Sequence, residues 1–259
     1  MTRAGDWNPA DYARFRDLRL RPAHDLIARI PPLPDGAMFD LGCGNGAAAG
    51  ALRARFAGRW LCGIDASPAM AEAARATGDY DAVELGDLRD WSPARPAALL
   101  FSNAALHWIN DHAALFRRLA GQLVAGGTLA VQMPRQQGAP SHRFLREFAA
   151  EMFPDRFSPD GWRPPVAAPV EYHRMLSPLG DVSVWETDYV QRLEPAADGH
   201  PVRRFTESTA MRPILGALAP DEAEALIRRY EDALAAAYPP EPDGSVLFPF
   251  RRLFTCLTV

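Results

Sequence analysis

The stretch that decides the fold reads Phe39-Asp40-Leu41-Gly42-Cys43-Gly44-Asn45-Gly46. A short apolar strand ends there in three glycines spaced GxGxG, and an Ala-rich helix is expected to follow. Glycine lets the backbone turn sharply and approach a ligand closely. A dinucleotide-binding loop has the spacing GxGxxG and holds a pyrophosphate, whereas here the third glycine comes one residue early. The segment therefore predicts a strand-to-helix ligand loop of a different kind.

Asp40 narrows the choice of cofactor. A carboxylate directly before the loop repels phosphate and suits a cation instead. S-adenosylmethionine carries both an ammonium and a sulfonium group, so we expect it to be the cofactor. The alternative is a tight turn that binds nothing.

Strands alternate with helices between residues 37 and 133. The predicted strands are Ala37–Leu41, Trp60–Ile64, Ala82–Leu85, Ala97–Phe101 and Thr128–Met133. The predicted helices between them are Ala47–Phe56, Pro68–Ala76 and Asp111–Gln122. This alternation predicts an α/β fold with a doubly wound, mostly parallel sheet. Such sheets bind ligands beyond the carboxyl ends of their strands, at the point where the strand order reverses.

The pattern changes after Met133, where prolines become frequent. Predicted helices are Ser141–Met152, Val170–Pro178, Val202–Leu218 and Asp221–Tyr238, and predicted strands are Val182–Leu193 and Arg252–Val259. We therefore expect a lid and cofactor-binding core at 1–138, a helical cap at 139–178 and 199–243, and further core strands at 179–198 and 244–259.

Composition excludes several classes of protein. The chain has 259 residues, with 28 basic and 32 acidic side chains and a net charge of −4, which argues against a general nucleic-acid binder. Every basic side chain is arginine, so Schiff-base and lysine acid/base chemistry are excluded. Three dispersed cysteines without a CxxC pair predict neither a zinc site nor disulfide exchange, and they favour a reducing cytoplasm. We expect no metal, no signal peptide and no membrane span.

Polar residues follow the other parallel strands. Asp65 stands where an acid accepts both ribose hydroxyls of a cofactor; its alternative role is a helix cap, a position that Ser67 already fills. Asp87 is a candidate to accept from an adenine amino group while Leu88 packs on the ring, and its alternative is a solvated turn. Asn103 is expected near the amino acid end of the cofactor. The expected cofactor-binding residues in this part of the chain are Asp40, Gly42, Cys43, Gly44, Gly46, Asp65, Ala66, Asp87, Leu88 and Asn103.

These residues resemble the class I S-adenosylmethionine-dependent methyltransferases. Further stretches extend the resemblance to the whole chain, and there it is to the trans-aconitate 2-methyltransferase family. They are Asp6-Trp7-Asn8-Pro9 with Tyr12, Arg19-Leu20-Arg21-Pro22, Gly63 to Met70, Val131-Gln132-Met133-Pro134, Met211-Arg212-Pro213 and Phe248 to Phe254. The resemblance implies a seven-stranded Rossmann-like core with a helical cap, and methyl esterification of a small polycarboxylate such as trans-aconitate. Asn45 and His107 depart from it, since proline and glutamine are expected there.

The substrate side is predicted from the ends of the chain and the cap. Trp7 and Tyr12 are expected to fold over the ligands, Trp7 at the cofactor and Tyr12 at the substrate. Arg21 is a candidate for the methionine or the substrate carboxylate. Arg212 and Arg252 are expected to clamp substrate carboxylates, because a guanidinium binds a carboxylate in bidentate fashion. His107 and His173 are expected in the cleft, and His24, His112, His142 and His200 at the surface.

The expected mechanism is positioning. A carboxylate with a pKa of about 4 is ionised at pH 7, so it needs no general base and no catalytic residue is assigned. The runner-up is a methyltransferase for another small acid or for a hydroxyl, in which case His107 or His173 becomes the base. A nicotinamide-dependent oxidoreductase is opposed by the loop spacing, and a non-catalytic cofactor-binding protein by the intact loop. We expect a monomer acting on a small molecule.

Overall fold

A computed structural model describes residues 16–158, 160, 162–207 and 209–259. Its strands are β1 Ala37–Leu41, β2 Leu61–Asp65, β3 Ala82–Leu85, β4 Ala97–Asn103, β5 Leu123–Pro134, β6 Asp181–Leu193 and β7 Val246–Thr258. They form one seven-stranded sheet in the order β3-β2-β1-β4-β5-β7-β6. Strands β1 to β5 pair in parallel, and β7 runs antiparallel to β5. The Rossmann-like, mostly parallel fold is confirmed, with its order reversing between β1 and β4.

The helices follow the strands as the periodicity indicated. They are α1 Arg16–Arg29, α2 Ala49–Arg55, α3 Pro68–Ala76, α4 His112–Ala120, α5 Pro140–Met152, α6 Pro169–Leu176, α7 Pro201–Glu207, α8 Arg212–Leu215 and α9 Pro220–Ala237. Six helices, α3 and α5 to α9, have a proline in the first turn, where its missing N–H costs nothing. Within the described part of the chain, no helix is both long and apolar enough to cross a bilayer.

Three elements differ from the expected ones by more than two residues at a boundary. β5 begins at Leu123 rather than Thr128, because the sheet absorbs Gly126 at a φ of 76° while its N–H donates to the Val259 carbonyl. β7 begins at Val246 rather than Arg252; buried and exposed residues alternate from Val246 to Arg251, and the residues from Arg252 to Leu257 are all buried. The helix expected at Val202–Leu218 is divided into α7 and α8, with Pro213 in the first turn of α8.

The described chain divides into two compact units. The sheet unit contains the described residues up to Pro134 with Pro165–Glu186 and Arg252–Val259; the second unit contains Arg135–Pro164 and Thr187–Arg251. Helix α6, which we expected in the cap, falls in the sheet unit, where Tyr172 and Leu176 are fully buried in its hydrophobic core. The expected domain ranges otherwise stay a prediction.

Helices α4 and α6 of the sheet unit are joined by a buried polar pair. His112 Nε2 donates to the Leu106 carbonyl, so its Nδ1 accepts from the Tyr172 hydroxyl. The same ring packs against Phe116 and Tyr172. The hydrogen bond from His112 to Leu106 anchors a 3₁₀ turn, Leu106–Trp108, which begins three residues after the end of β4.

The second unit has its own core. Tyr230 of α9 donates to the Ser141 carbonyl of α5 at 2.6 Å, and Phe205, Phe248 and Phe250 pack edge to face. Arg203 is buried and donates to both Glu207 and Glu231. Burial of a guanidinium is tolerated there because the charge is paired with three carboxylates, those of Asp198, Glu207 and Glu231.

We expect Tyr172→Phe to lower the free energy of unfolding by about 1 to 3 kcal/mol, because it leaves His112 Nδ1 buried without its donor. Urea denaturation of the variant measures the loss. The double variant Tyr172→Phe/His112→Leu is the control, and it should recover most of the stability because both polar partners are then gone. Equal losses in the single and double variants would contradict the pairing.

Candidate active site

The turn after β1 is bound to both neighbouring strands. The N–H groups of Gly42 and Cys43 both donate to the Ile64 carbonyl of β2, at 2.8 and 2.9 Å. On the other side, Ser102 Oγ of β4 donates to the Leu41 carbonyl at 2.8 Å. The turn is therefore fixed where the strand order reverses, as the sequence predicted for a ligand-binding loop.

Two of the loop glycines are required by geometry. Gly42 has a φ of 74°, and a Cβ placed on it would lie 2.2 Å from the Cβ of Ala105. Gly46 has a φ of 82°, and its Cβ would lie 3.1 Å from atoms of both Thr77 and Tyr80. Gly44 also has a positive φ, 56°, but a Cβ there would meet nothing within 4 Å. The loop is thus tightly packed at both ends and open in the middle.

Asp40 is buried below this loop, with 2% of its surface exposed. The Tyr80 hydroxyl donates to its Oδ2 at 2.6 Å. Burial raises the pKa of Asp40 to about 7, against the lowering effect of the Tyr80 hydrogen bond and with a further increase from the charge of Asp65. A nearby cation would therefore favour the ionised form of Asp40 at neutral pH.

Asp65 connects the loop with the following helix. Its Oδ2 accepts the Gly44 N–H and its Oδ1 accepts the Ser67 N–H, both at 2.9 Å. Ser67 itself caps α3 by accepting from the Met70 N–H. Asp65 is only partly buried, and each carboxylate oxygen can accept more than one hydrogen bond. The Asp65 carboxylate can therefore accept further hydrogen bonds besides those from the two backbone N–H groups.

Asp87 is solvent-accessible, in agreement with the alternative of a solvated turn that the sequence left open. Both of its oxygens accept from the Arg89 side chain, and the hydrogen bonds to Arg89 lower its pKa. The pair is largely exposed, with 41% of the Asp87 side chain accessible. An adenine amino group would have to compete with Arg89 for this carboxylate. Leu88, in contrast, is buried and its Cδ1 lies 3.8 Å from the Cβ position of Gly42.

Several buried polar atoms near the ends of β4 and β5 have no hydrogen-bond partner among the described residues. Among the described residues, buried side-chain atoms without a hydrogen-bond partner include Asn103 Oδ1, His107 Nδ1 and both amide atoms of Gln132. Burial lowers the pKa of His107 to about 3, with smaller contributions from the charge of Arg252 and from His112. His107 is therefore neutral at physiological pH.

The candidate arginines differ in exposure. Arg252 is 4% exposed, whereas Arg21 and Arg212 are exposed. Arg251, the neighbour of Arg252 in β7, points to the opposite face and donates to both oxygens of Asp188. Alternation along the strand therefore assigns the buried position to Arg252, as expected for adjacent strand residues.

The histidines are distributed differently from the expectation. His173 is exposed on α6. His112 and His200, expected at the surface, are buried; His112 is held by Tyr172 and His200 by the Tyr238 carbonyl. The expectation was wrong because the spacing of the histidines does not reveal these buried hydrogen-bond partners. Trp7 and Tyr12 lie outside the described residues. In the described part of the chain no group of three His, Cys, Asp or Glu side chains is placed to hold a metal.

Two residues of this region were missed by the site assignment. Tyr80 contacts Asp40 from forty positions away in the chain, and no local pattern marks such a contact. Gln132 was noted only as part of a family motif. A polar residue in the middle of the apolar strand Leu129–Met133 was the signal that could have found it.

Comparison with known proteins agrees with this geometry. Residues 39–131 match a family model described as a methyltransferase domain. Among solved structures, the YcgJ protein of Bacillus subtilis aligns with a TM-score of 0.58 at 15% identity, covering 92% of this chain and 98% of that chain. A phosphoethanolamine N-methyltransferase of Haemonchus contortus aligns with a TM-score of 0.51 at 16% identity, covering 92% of this chain and 52% of that one. At these identities the structures support the fold alone.

Curated relatives are more similar. Proteins named trans-aconitate 2-methyltransferase are 40% identical in Methylobacterium radiotolerans, 39% in Klebsiella pneumoniae and 39% in Rhizobium meliloti. The alignments cover 96% or more of this chain and of each relative. With this identity over nearly the whole length, the chain belongs to the trans-aconitate 2-methyltransferase family.

Proposed function

We propose that this protein transfers the methyl group of S-adenosylmethionine to one carboxylate of trans-aconitate, forming a monomethyl ester. The observation that carries the proposal is the 37–41% identity, over at least 96% of this chain, to relatives named for that reaction. The loop below which Asp40 is buried supports the choice of cofactor.

The residues at the loop fit S-adenosylmethionine. Gly44 leaves the middle of the loop open, and Asp65 beside it keeps acceptor capacity for ribose hydroxyls. Asp40, with a pKa near neutrality, is suited to an ammonium group. We propose that the cofactor is held by Asp40, Gly42, Cys43, Gly44, Gly46, Asp65, Ala66, Leu88 and Asn103, with Asp87, Trp7 and Arg21 as further candidates.

The chain's contribution to the reaction is positioning. Bound S-adenosylmethionine supplies an electrophilic methyl group on its sulfonium centre. A carboxylate of the acceptor is already ionised at pH 7, so no side chain has to remove a proton. Orientation of one oxygen on the line of attack is worth roughly 7 to 11 kcal/mol. We propose that Arg212 and Arg252 hold the other carboxylates, because a guanidinium on the attacking oxygen would reduce its nucleophilicity, and Tyr12, Arg21 and His173 remain candidates at the substrate.

A hydroxyl acceptor is the second candidate, and His107 opposes it. A hydroxyl requires a general base with a pKa near the working pH. The pKa of His107 is lowered to about 3, and His173 is exposed. The low pKa of His107 and the exposure of His173 favour an acceptor that is already ionised.

We further propose that the enzyme acts in the cytoplasm as a monomer, without nucleic acid or membrane. All three cysteines are free thiols, as a reducing compartment would leave them. The net charge of −4 supports a small-molecule partner over a nucleic acid.

The acceptor is tested by incubating the protein with methyl-labelled S-adenosylmethionine and a panel of tri-, di- and monocarboxylates. We expect trans-aconitate to give the highest kcat/KM and a base-labile product carrying one methyl group. A base-stable product, or a preference for an alcohol or phenol, would exclude carboxylate methylation.

We expect Asp40→Asn to stabilise the free protein and weaken cofactor binding. Raising the pKa of Asp40 from 3.8 to about 7 lowers the free energy of unfolding by roughly 4 kcal/mol when Asp40 is ionised, at 1.36 kcal/mol per pH unit. We expect the variant to recover about 2 kcal/mol of this free energy of unfolding at pH 8. The gain should disappear below pH 4, where Asp40 is protonated in both the folded and the unfolded chain.

Urea denaturation at both pH values and calorimetry with S-adenosylmethionine measure these effects. Asp81→Asn is the matched control, because a hydrogen bond from the Leu61 N–H lowers the pKa of Asp81. That variant should lose stability at pH 8 and keep its affinity for the cofactor. Unchanged cofactor affinity in Asp40→Asn would refute the role of Asp40.

We expect His107→Gln to keep kcat with trans-aconitate within about tenfold of the wild type, since glutamine remains polar and no proton is removed. General-base catalysis usually contributes at least about a hundredfold. Steady-state kinetics decides between these values. A larger loss with intact cofactor affinity would favour a hydroxyl acceptor.

A further inference from the structure

The side chain of Gln132 is buried and makes no hydrogen bond to any described residue. The residue is 0% exposed, and among the described residues neither its Nε2 nor its Oε1 has a partner. A buried polar group left unpaired typically costs about 1 to 3 kcal/mol. Methionine has nearly the same shape and would avoid this cost, so packing does not explain a glutamine at this position.

The sheet places Gln132 beside other polar groups. It lies two residues before the carboxyl end of β5, opposite Asn103 of β4 and Phe254 of β7. Arg252 lies two residues from Phe254 on the same face of β7, opposite Pro134. Paired residues of neighbouring strands share a face. Gln132 and the buried Arg252 therefore face the same region at one end of the sheet.

Gln132 lies far from the ribose end of the proposed cofactor site. Asp40 and Asp65 lie on β1 and β2, whereas β5 is two strands from β1 and three from β2. Strands are spaced about 4.8 Å apart, so β5 lies roughly 10 Å from β1 and 14 Å from β2. Asn103, on the intervening β4, is nearer to the cofactor loop.

We propose that Gln132 donates a hydrogen bond from its Nε2 to a non-reacting carboxylate of the acceptor, next to the guanidinium of Arg252, and so determines selectivity for polycarboxylates. This inference rests on the proposed function. An amide is a neutral donor in a fixed position, so it adds direction to the attraction of the neighbouring cation. An acceptor without a carboxylate at this position leaves the amide unpaired and loses affinity.

The test uses Gln132→Met, which keeps the shape of the side chain and removes both polar atoms. Thr128→Val is the matched control: Thr128 lies four residues earlier on the same face of β5, is fully buried, and its Oγ1 also lacks a partner among the described residues. Melting temperature, affinity for S-adenosylmethionine, and affinity for trans-aconitate in the presence of S-adenosylhomocysteine are measured for both variants and the wild type.

We expect both variants to melt at a temperature about 2 to 4 °C higher than the wild type, as for removal of roughly 1 kcal/mol of unpaired burial. Only Gln132→Met should bind trans-aconitate more weakly, by about tenfold to a hundredfold, the range for one hydrogen bond to a charged group. Its KM should rise more than its kcat falls, and its affinity for S-adenosylmethionine should equal that of the wild type.

Three results would overturn the inference. They are unchanged affinity for trans-aconitate in Gln132→Met, an equal loss of affinity for S-adenosylmethionine, and a lower melting temperature in Gln132→Met while Thr128→Val is stabilised. A wild-type protein that neither binds nor methylates trans-aconitate would instead refute the proposed function, whatever the variants do.

Discussion

Close approach of three backbone segments at the end of β1 is the constraint on which the site depends. β1 turns over β2 and against the residues that follow β4, and Gly42 has no room for a side chain beside Ala105. A Cβ on Gly63 of β2 would likewise lie 2.9 Å from the Cys43 sulfur. Because the loop is held on both sides, Asp40, Asp65 and the end of β4 keep fixed relative positions. Preorganisation of this kind is what a positioning enzyme requires.

The same region contains polar groups that cost stability. Asp40 is buried with a raised pKa, and the buried Gln132 side chain has no partner in the part of the chain that the structure describes. A compact core tolerates such groups only where the surrounding packing is strong, and here Phe39, Leu41, Leu129 and Val131 are all fully buried. These polar groups lower the stability of the free protein, and they remain able to bind a ligand.

In the second unit, several buried polar groups are paired within the protein. Arg203 is paired with both Glu207 and Glu231, and Tyr230 donates to a backbone carbonyl. His200 accepts from the Val202 N–H, and its Nε2 lies 3.0 Å from the Tyr238 carbonyl. These hydrogen bonds stabilise the second unit, whereas Asn103 Oδ1 and the Gln132 amide, near the ends of β4 and β5, have no partner among the described residues.

By itself, the sequence determined the alternation of strands and helices, the GxGxG loop and the acids at the strand ends, because each depends on residues close together in the chain. The split between α7 and α8 and the extension of β5 through Gly126 escaped prediction, since long-range packing overrides local propensity. Only the tertiary structure decided that Tyr80 meets Asp40 and that Gln132 and Arg252 share a face. Those contacts follow from strand order and register, which bring together residues far apart in the sequence.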